Sequence, residues 1–433
     1  MSRVRKNKYV RRFIRRFGGA RLIVVPRLLQ LPLRLLVREV VRRLPRERGL
    51  VVFGAPLDRF ADNTAYLFLA LSSAPGLRCV WISGSRDVVR RLRAAGYAAE
   101  PRLSRAGMRA ALRADWYVVT AYVSDVNRWA HDGARLLNLW HGIPLKTIER
   151  DIVNSPMSFM YAQDAARSPR ALAFADETRV ADAVLSTSPF ISERCFASAF
   201  GVSRDRCLDF GYPRADHFFA AQDKPPNDVL IQQPKTWRRV RDADFVVGYF
   251  PTWRDDDSPF IQRSGLTIER LAEVVAAQGG LLLFKPHFNT SLSLPEGHAV
   301  VLHPDDDLNV YLPLCSVLIT DYSSVAFDFM LLDRPILYFV PDLEHYRRSR
   351  GLYFEPEAMM PGPLLFTADE LYDAVSRLRP SSPADPRVRE IRELVWNGYR
   401  GDAAARLRDF IQSGEPADGA RPSALAERPG ATI

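Results

Sequence analysis

Short β-rich runs alternate with helical patterns along the chain beyond residue 49. Helical patterns are predicted at 62–73, 87–95, up to 198, 268–277 and 324–332. Strand-like runs lie between them, at 50–54, 78–83, 116–120, 136–140, 183–187, 245–250, 281–284, 300–302, 317–320 and 336–340. Strands that alternate with helices in this way are typical of parallel sheets with helices on both faces. The alternation therefore predicts an α/β fold with two doubly wound domains.

A polar stretch with three prolines, at 222–237, separates the two runs of alternation. Such stretches are typical of linkers between domains. The 433 residues are enough for each of two domains to bury a core. The end of the chain is rich in Pro, Gly, Ala and charge, which is typical of disorder. We predict five segments: a basic arm at 1–48, an N-terminal domain at 49–221, a linker at 222–240, a C-terminal domain at 241–412 and a disordered tail at 413–433.

The positive charge of the chain is concentrated in the arm. The whole chain has a formal net charge of +10, whereas residues 1–48 contain sixteen Lys or Arg and two Glu, a net charge of +14. The remainder is therefore slightly acidic, with a net charge of −4. This distribution describes a basic arm on a mildly acidic body.

The arm also has apolar residues at helical spacing, in two stretches separated by Pro26 and Pro32. These residues are Val10, Phe13, Ile14 and Phe17, then Leu33, Leu36, Val37, Val40, Val41 and Leu44. Helices with one apolar face and one Arg-rich face lie in the headgroup region of anionic membranes. Two alternatives are a packed helix on the body and a nucleic-acid contact, for which an apolar stripe has little use. We predict peripheral attachment to an anionic membrane surface and no nucleic-acid partner.

Several function classes are disfavoured by motifs that the sequence lacks. The four cysteines are scattered without a CxxC pair, which argues against a disulfide framework or a structural zinc site. No apolar run is long enough to span a bilayer, and no signal-peptide pattern follows the basic residues. GxGxxG, GxxxxGK[ST], GxSxG and HExxH are all absent. The acidic runs 255–257 and 305–307 could hold Mg²⁺, but acidic runs in loops more often form turns, so we assign no metal ligand.

A histidine follows the end of one predicted strand, in the sequence NLWHGIPLK at 138–146. His141 follows a hydrophobic strand, Gly142 lets the backbone turn, and Pro144 suits the first turn of a helix. The ordinary pKa of an imidazole is close to neutral, which suits a general base that removes the proton of a hydroxyl. The alternative is a histidine that is hydrogen-bonded within its loop.

Two more strand ends carry groups suited to phosphate. Lys285 and His287 flank a proline after the run at 281–284, and such cations stabilise phosphoryl charge. Ser323 and Ser324 follow the run at 317–320 and open a helix, whose free N–H groups attract anions. The alternatives are a solvated basic loop and a helix cap without a ligand.

Taken in order, these residues resemble the CDP-glycerol glycerophosphotransferase family of teichoic acid primases and polymerases. The resemblance covers about residues 50–410. It rests on LWHGIPLK (139–146), GYPRAD (211–216), FPTWRDD (250–256), FKPH (284–287), ITDYSSVAFDFMLLDRPILYF (319–339) and DLEHYRRSRGLYFEP (342–356). It implies a GT-B-type fold, in which two Rossmann-like domains face a central cleft. The implied reaction transfers glycerol phosphate, or a related polyol phosphate, from CDP-glycerol to a hydroxyl of a membrane-bound polyprenyl-linked acceptor and releases CMP.

The resemblance also assigns roles to residues. It places a catalytic base at His141 and a second essential histidine, which acts on the donor phosphates, at His287. The residues expected to bind CDP-glycerol are Lys285, Asp321, Ser323, Ser324, Arg254 and Thr252. Residues expected on the acceptor side or in the cleft are Trp140, Gly142, Lys146 and Arg214. No cofactor is required by the sequence, and Mg²⁺ stays open.

Two departures from the family pattern leave substrate detail open. Ile143 stands where a threonine is common, and Phe288 stands where a second proline is frequent. The Arg- and Ala-rich composition also differs from that of the usual low-GC Gram-positive members, so the product could be a capsular polymer rather than teichoic acid.

Two other functions stay open at this stage. One is a GT-B glycosyltransferase that uses a sugar nucleotide for a cell-surface polysaccharide, and the other is a catalytically inactive, membrane-attached scaffold that binds polymer. The expected location is the cytoplasmic face of the cell membrane. A homo-oligomer is left open.

Overall fold

A computed structural model of the protein describes residues 27–152, 173–220, 227–252, 264–285, 297–303 and 305–414, without the side chains of 348–350. Three predicted features lie outside these residues: the first amphipathic stretch of the arm, the site residues Arg254 and His287, and nearly all of the tail.

The first half of the chain forms one parallel sheet of seven strands. The strands are β1 Glu47–Gly54, β2 Arg78–Ser83, β3 Ala99–Pro101, β4 Ala114–Val119, β5 Arg135–Asn138, β6 Ala183–Ser186 and β7 Cys207–Asp209. Their order in the sheet is β3-β2-β1-β4-β5-β6-β7, and every pair is parallel. A parallel strand that is covered on both faces has apolar side chains at consecutive positions. Residues 50–53 of β1 are such a run, and all four are fully buried.

The second half repeats this arrangement in a parallel sheet of six strands. The strands are β8 Val246–Tyr249, β9 Leu281–Phe284, β10 Ala299–Val301, β11 Val317–Thr320, β12 Ile336–Phe339 and β13 Leu364–Leu365. Their order is β10-β9-β8-β11-β12-β13. Two parallel, doubly wound sheets confirm the predicted fold class.

Helices connect the strands and cover both sheets. In the first half they are α1 Leu31–Arg42, α2 Asp62–Leu71, α3 Arg86–Ala94, α4 Arg105–Arg113, α5 Pro189–Ile191 and α6 Ala197–Phe200, the last two joined by the π-helical turn Ser192–Phe196. In the second half they are α7 Pro234–Arg241, α8 Ile268–Ala276, α9 Val325–Phe329, α10 Leu343–Arg350, α11 Pro356–Met359, α12 Ala368–Arg377, α13 Arg387–Trp396 and α14 Ala403–Ser413. None of the helices within the described ranges is long and apolar enough to cross a membrane.

Both sheets reverse their strand order at one point, and this point positions the site. The reversal falls between β1 and β4 in the first sheet and between β8 and β11 in the second. In doubly wound sheets, ligands bind beside such a reversal, at the carboxyl ends of the strands. The segment that contains His141 follows β5, next to the first reversal, and the Asp321–Ser324 segment follows β11 at the second.

Two elements differ from the predicted domain boundaries. Helix α7 forms inside the predicted linker, because Pro234 occupies the first turn of a helix, where its missing N–H costs nothing. Helix α14 packs against α2 of the first half, and the Trp116 indole donates to the carbonyl of Ile411 at 3.2 Å. The last helix is therefore part of the first domain's covering layer, although its sequence position predicted it in the second.

Candidate active site

The backbone after β5 turns sharply and projects His141. Trp140 has a φ of +50°, a conformation that a bulky side chain adopts only at an energetic cost. The turn is held on both sides: the Trp140 N–H donates to the Asn138 side chain at 2.9 Å, and the Asn63 amide donates to the Trp140 carbonyl at 3.0 Å. Asn63 lies at the start of α2, directly after the first reversal point. Strain held in place by neighbours is typical of a functional position.

The His141 ring is exposed on one side and surrounded by protein on the others. It packs on the Trp140 indole, with 3.9 Å between ring centroids. Removal from water is the main cause that lowers the pKa of His141 to about 4, and the positive charges of Arg214 and Lys146 lower it further, whereas Asp62 opposes them. His141 is therefore neutral at pH 7 and can accept a proton, as a weaker base than the imidazole of ordinary pKa that the sequence predicted.

Gly142 brings the His141 loop against the second domain. A Cβ atom built on Gly142 would lie 2.5 Å from the Oγ of Ser324 and 2.7 Å from its Cβ, and the φ of Gly142 is +150°. No side chain fits such a space, so only glycine allows this approach. Two segments that are far apart in the sequence, after β5 and after β11, therefore meet directly, as the predicted cleft requires.

The segment after β11 is held by its aspartate. Asp321 is buried, and its two carboxylate oxygens accept from the Thr252 N–H at 2.9 and 3.0 Å, which fixes the loop that follows β8. The Ser323 hydroxyl accepts from the Val325 N–H at 3.4 Å, whereas Ser324, at the N-cap position of α9, makes no side-chain cap. The predicted capping role is thus confirmed for Ser323 and wrong for Ser324, whose side chain packs on Gly142 instead.

Lys285 lies at the carboxyl end of β9 and faces the acidic turn 305–307. Its ammonium donates to the Asp306 carbonyl at 2.5 Å. Burial lowers the pKa of Lys285, and the charge of Asp307 opposes that shift. The acids themselves shape the turn: Asp306 accepts from the His303 N–H at 2.8 Å, and Asp307 accepts from the Asn309 N–H at 2.9 Å. Across the described part of the chain, no three His, Cys, Asp or Glu side chains converge as a metal site would need.

Arg214 is not an open cleft residue but a buried link between the domains. Its guanidinium is 3% exposed, binds Asp328 of α9 in bidentate fashion at 2.8–3.2 Å, and reaches Asp62 of α2 at 2.6 Å. A bidentate arginine fixes both distance and orientation. Arg214 therefore holds the starting turns of two helices, one from each domain, beside the Gly142–Ser324 contact.

Lys146 lies in a second link between the domains, formed by main chain. It pairs with Leu352 in an antiparallel bridge, flanked by hydrogen bonds from the Thr147 N–H to the Gly351 carbonyl and from the Tyr353 N–H to the Leu145 carbonyl. The segment after His141 is thus attached to the segment 351–353 of the second domain.

The structure thus brings together most of the described site residues, and it adds three that the sequence analysis missed. Trp140, His141, Gly142, Lys146, Arg214, Ser323 and Ser324 lie at or beside the contact between the domains, and Asp321 and Thr252 form the loop pair behind it. The missed residues are Asp62, Asn63 and Asp328. Asp328 could have been identified from the sequence, because it is a lone carboxylate in the apolar run 325–332. Asp62 and Asn63 could not, because such residues are common at the start of a helix.

The chain is similar to teichoic acid enzymes over most of its length. The family described as CDP-Glycerol:Poly(glycerophosphate) glycerophosphotransferase matches residues 36–413. A teichoic acid poly(glycerol phosphate) polymerase of Bacillus subtilis is 32% identical over 292 residues, 65% of this chain and 37% of the relative. A teichoic acid glycerol-phosphate transferase of Staphylococcus aureus is 31% identical over 260 residues, 58% of this chain and 64% of the relative. The chain thus spans between about a third and two thirds of the length of these two relatives.

A solved structure shares the fold. A variant of the wall teichoic acid polymerase TagF superposes with a TM-score of 0.69 at 22% identity, over 92% of this chain and 98% of that one. At this identity the likeness establishes the two-domain architecture alone. The matched family range includes both sheets and all three strand-end segments. The chain belongs to the CDP-glycerol:poly(glycerophosphate) glycerophosphotransferase family.

Proposed function

We propose that this protein transfers glycerol phosphate, or a related polyol phosphate, from CDP-glycerol to a hydroxyl of a membrane-bound polyprenyl-linked acceptor and releases CMP. The product would be teichoic acid or a capsular polymer. The observation that carries the proposal is the contact of Gly142 with Ser324, which sets a neutral histidine of one domain beside the reversal point of the other, in a chain of this family. The names of the relatives support glycerol phosphate as the transferred group.

In the proposed mechanism, His141 is the general base. Its neutral ring takes the proton of the acceptor hydroxyl as the oxygen attacks the β-phosphorus of the donor. A P–O bond to the acceptor forms, the P–O bond to CMP breaks, and CMP leaves with the bridging oxygen. Packing on the Trp140 indole limits the orientation of the ring, which keeps a base ready for an in-line reaction.

The donor is proposed to lie on the second domain. The Ser323 and Ser324 side chains and the loop at Thr252 border the reversal point between β8 and β11, the usual place for a nucleotide in such a sheet. Asp321 would position this loop rather than touch phosphate, because it accepts from the Thr252 N–H. Lys285, His287 and Arg254 are proposed to offset the charge of the diphosphate. Trp140, Gly142 and Lys146 would border the acceptor, and Arg214 would position both sides.

Membrane attachment is proposed through the arm. Four apolar side chains of α1 and the residues just before it, at i, i+4, i+7 and i+11, are exposed: Leu29, Leu33, Leu36 and Val40 are each 54–78% exposed. Arg34 and Arg38 of the same helix pair with Asp176 and Asp132 of the body, so the face that stays open is the apolar one, which a membrane interface can bury. An acceptor carried by a polyprenyl chain gives such an attachment a purpose, and it implies action at the cytoplasmic face.

A donor panel tests the proposed reaction. The full chain is incubated with a synthetic prenyl-diphosphate acceptor and, separately, with CDP-glycerol, CDP-ribitol and UDP-sugars, and the products are sized by mass spectrometry. We expect a mass increase of one or more glycerol phosphate units and release of CMP. A sugar added from a UDP-sugar would favour a glycosyltransferase instead, and no turnover with any donor would favour the scaffold.

A further inference from the structure

An open groove lies at the end of the arm, on the outer face of α4. Its volume is about 640 Å³, and it is lined by both apolar and basic side chains. The apolar ones are Leu44, Leu103, Met108 and Leu112, and the basic ones are Arg105, Arg109 and Arg113. Leu103 is 84% exposed, the largest exposed fraction among the large apolar side chains that the structure describes. The groove runs along α4, from Leu103, just after β3, to Arg113, just before β4.

The three arginines form a row without acidic partners. They lie at i, i+4 and i+8 on α4, and within the described parts of the chain none of the three forms an ion pair with a carboxylate. Like charges at this spacing repel, and a cation at the first position of a helix also opposes the helix dipole. No acid in the first turn compensates for this. Arg113 lies in the last turn, where a cation is favourable, so the unfavourable charges of the row are those of Arg105 and Arg109, and an anion beside them would offset the repulsion.

The groove begins where α1 ends. Leu44, two residues after the last residue of α1, lines the groove together with Leu103, Met108 and Leu112. The apolar part of the groove thus lies beside a row of three cations. A ligand that fits it has an anionic head and an apolar tail.

We propose that this groove binds an acidic phospholipid of the bilayer, with the phosphate on the arginine row and an acyl chain against Leu103 and Met108. The inference rests on the membrane attachment in the proposed function and adds a contact made by the folded body. Two other occupants fit poorly. Residues 1–26 contain nine Lys or Arg and no acid, so the arginine row would repel them. A second copy that placed its own groove on this one across a two-fold axis would bring two rows of arginines close together.

Vesicle sedimentation of the full chain tests the site. The variant R105Q/R109Q/R113Q is compared with wild type on phosphatidylglycerol vesicles and on phosphatidylcholine vesicles. Since each basic residue near an anionic surface contributes about a factor of five to ten in binding, we expect the triple variant to bind phosphatidylglycerol vesicles on the order of 100-fold more weakly. The matched control K235Q/R238Q/R239Q removes the same charge from exposed positions of α7 and should bind like wild type.

A second variant separates the apolar contact from the charge. L103S should weaken binding to phosphatidylglycerol vesicles several-fold while leaving the thermal unfolding midpoint unchanged, since Leu103 is almost fully exposed. Equal binding of the triple variant and its control would overturn the site, as would equal binding of wild type to neutral and anionic vesicles. Turnover on a short water-soluble acceptor is measured in parallel. If wild type shows no turnover on this acceptor, the proposed function is contradicted. If wild type turns the acceptor over but the groove variants bind lipid like their control, only the groove is contradicted.

Discussion

At the scale of single residues, His141 owes its position to its two neighbours. Trp140 takes a left-handed backbone conformation, and Gly142 allows the closest approach between the domains. Either neighbour could be altered without touching the imidazole. Substitutions at Gly142 therefore test whether the approach of the two domains, rather than the histidine alone, matters for the reaction.

The first prediction is that Gly142→Ala disrupts the contact with Ser324. The new methyl group would lie 2.5 Å from the Ser324 hydroxyl, so the domains must separate locally. Overpacking of this kind lowers the free energy of unfolding by about 1–3 kcal/mol. A displacement of about 1 Å at a reacting group can cost about 100-fold in rate. Urea unfolding and CMP release measure the two effects.

A second substitution serves as the control for this prediction. Ser324→Gly removes the atoms that the new methyl group would strike, so the double variant should regain part of the lost stability. Recovery will be incomplete, because the φ of +150° at position 142 still disfavours alanine. A double variant no more stable than Gly142→Ala would show that the contact is not the cause.

The second prediction concerns protonation of His141. Its surroundings lower its pKa to about 4, so the ring stays neutral at pH 5.5, where a free histidine is about nine-tenths protonated. Because protonation then favours the unfolded chain, this histidine contributes stability that increases as pH rises from about 4 to 6.5. NMR titration of the ring measures the pKa directly.

Lys146→Met tests whether neighbouring positive charge lowers the pKa of His141. It removes a positive charge that lowers the pKa of His141, so the midpoint should rise and the acid limb of the activity profile should shift in the same direction. A midpoint near 6.5 in wild type, unmoved by the substitution, would contradict the described surroundings of the ring.

At the scale of elements, the link made by Arg214 connects α2 of the first domain to α9 of the second. Its ion-pair partners are two carboxylates, Asp62 and Asp328, its guanidinium also lies over the Tyr212 ring, and the group is almost completely removed from water. A buried ion pair of this kind adds little net stability compared with apolar packing, but removal of one member leaves a buried charge without compensation. The link therefore determines how the two helices are oriented.

The third prediction is that Arg214→Met lowers the free energy of unfolding by about 3–5 kcal/mol, because Asp328 stays buried without its partner. Urea unfolding measures the loss. The double variant R214M/D328L should regain much of it, and Arg206→Met, at an exposed position, should cost less than about 0.5 kcal/mol. A loss of similar size in the Arg206 control would point to a general effect of lost charge.

The sequence predicted most of the strands but missed several helices and the shortest strands. The missed helices include α4, α10, α12, α13 and α14. The strands at 78–83, 281–284 and 317–320 were predicted at their observed bounds, because strands buried on both faces are continuous apolar runs. The strands β3, β7 and β13 have only two or three residues, which is too short for a pattern of apolar side chains to identify them in the sequence. Helix α7 was missed because its prolines and polar residues also suit a linker.

For the site, residues at strand ends could be predicted, but their partners could not. His141, Lys285 and Ser323 follow apolar runs directly, and the topology places such residues at one edge of a sheet. That Arg214 lies between Asp62 and Asp328 depends on how two distant helices pack, which no local pattern contains. Membership of a family supplied the motifs, whereas only the packing showed that Ser324 lies against Gly142 rather than capping α9.

At the scale of the whole molecule, the two domains are joined at several independent places. The larger of two hydrophobic clusters extends from the first sheet into the second, and α14 returns to pack on α2. The backbone bridge between Lys146 and Leu352 adds a further contact next to the site. A domain arrangement fixed in this way holds the loop that contains His141 and the Asp321–Ser324 segment in one relative position.

The fourth prediction concerns attachment of the whole molecule to a membrane. L33S/L36S/V40S removes three exposed apolar side chains of α1, each contributing about 1 kcal/mol if half-buried in a bilayer. Sedimentation with phosphatidylglycerol vesicles should show a loss of about 100-fold, with the fold unchanged by circular dichroism. Leu394→Ser, on α13, should leave vesicle binding unchanged, and equal losses in both would remove the assigned role of α1.

The central claim is that His141 takes the acceptor proton during transfer of glycerol phosphate, and CMP release tests it most directly. Purified wild type, His141→Ala and the exposed control His298→Ala are supplied with CDP-glycerol and a prenyl-diphosphate-linked acceptor. We expect wild type and the His298 variant to release CMP at the same rate and the His141 variant to be about 100- to 10,000-fold slower, the usual contribution of a general base. Full activity of the His141 variant, while CMP is still released only in the presence of acceptor, would contradict the account.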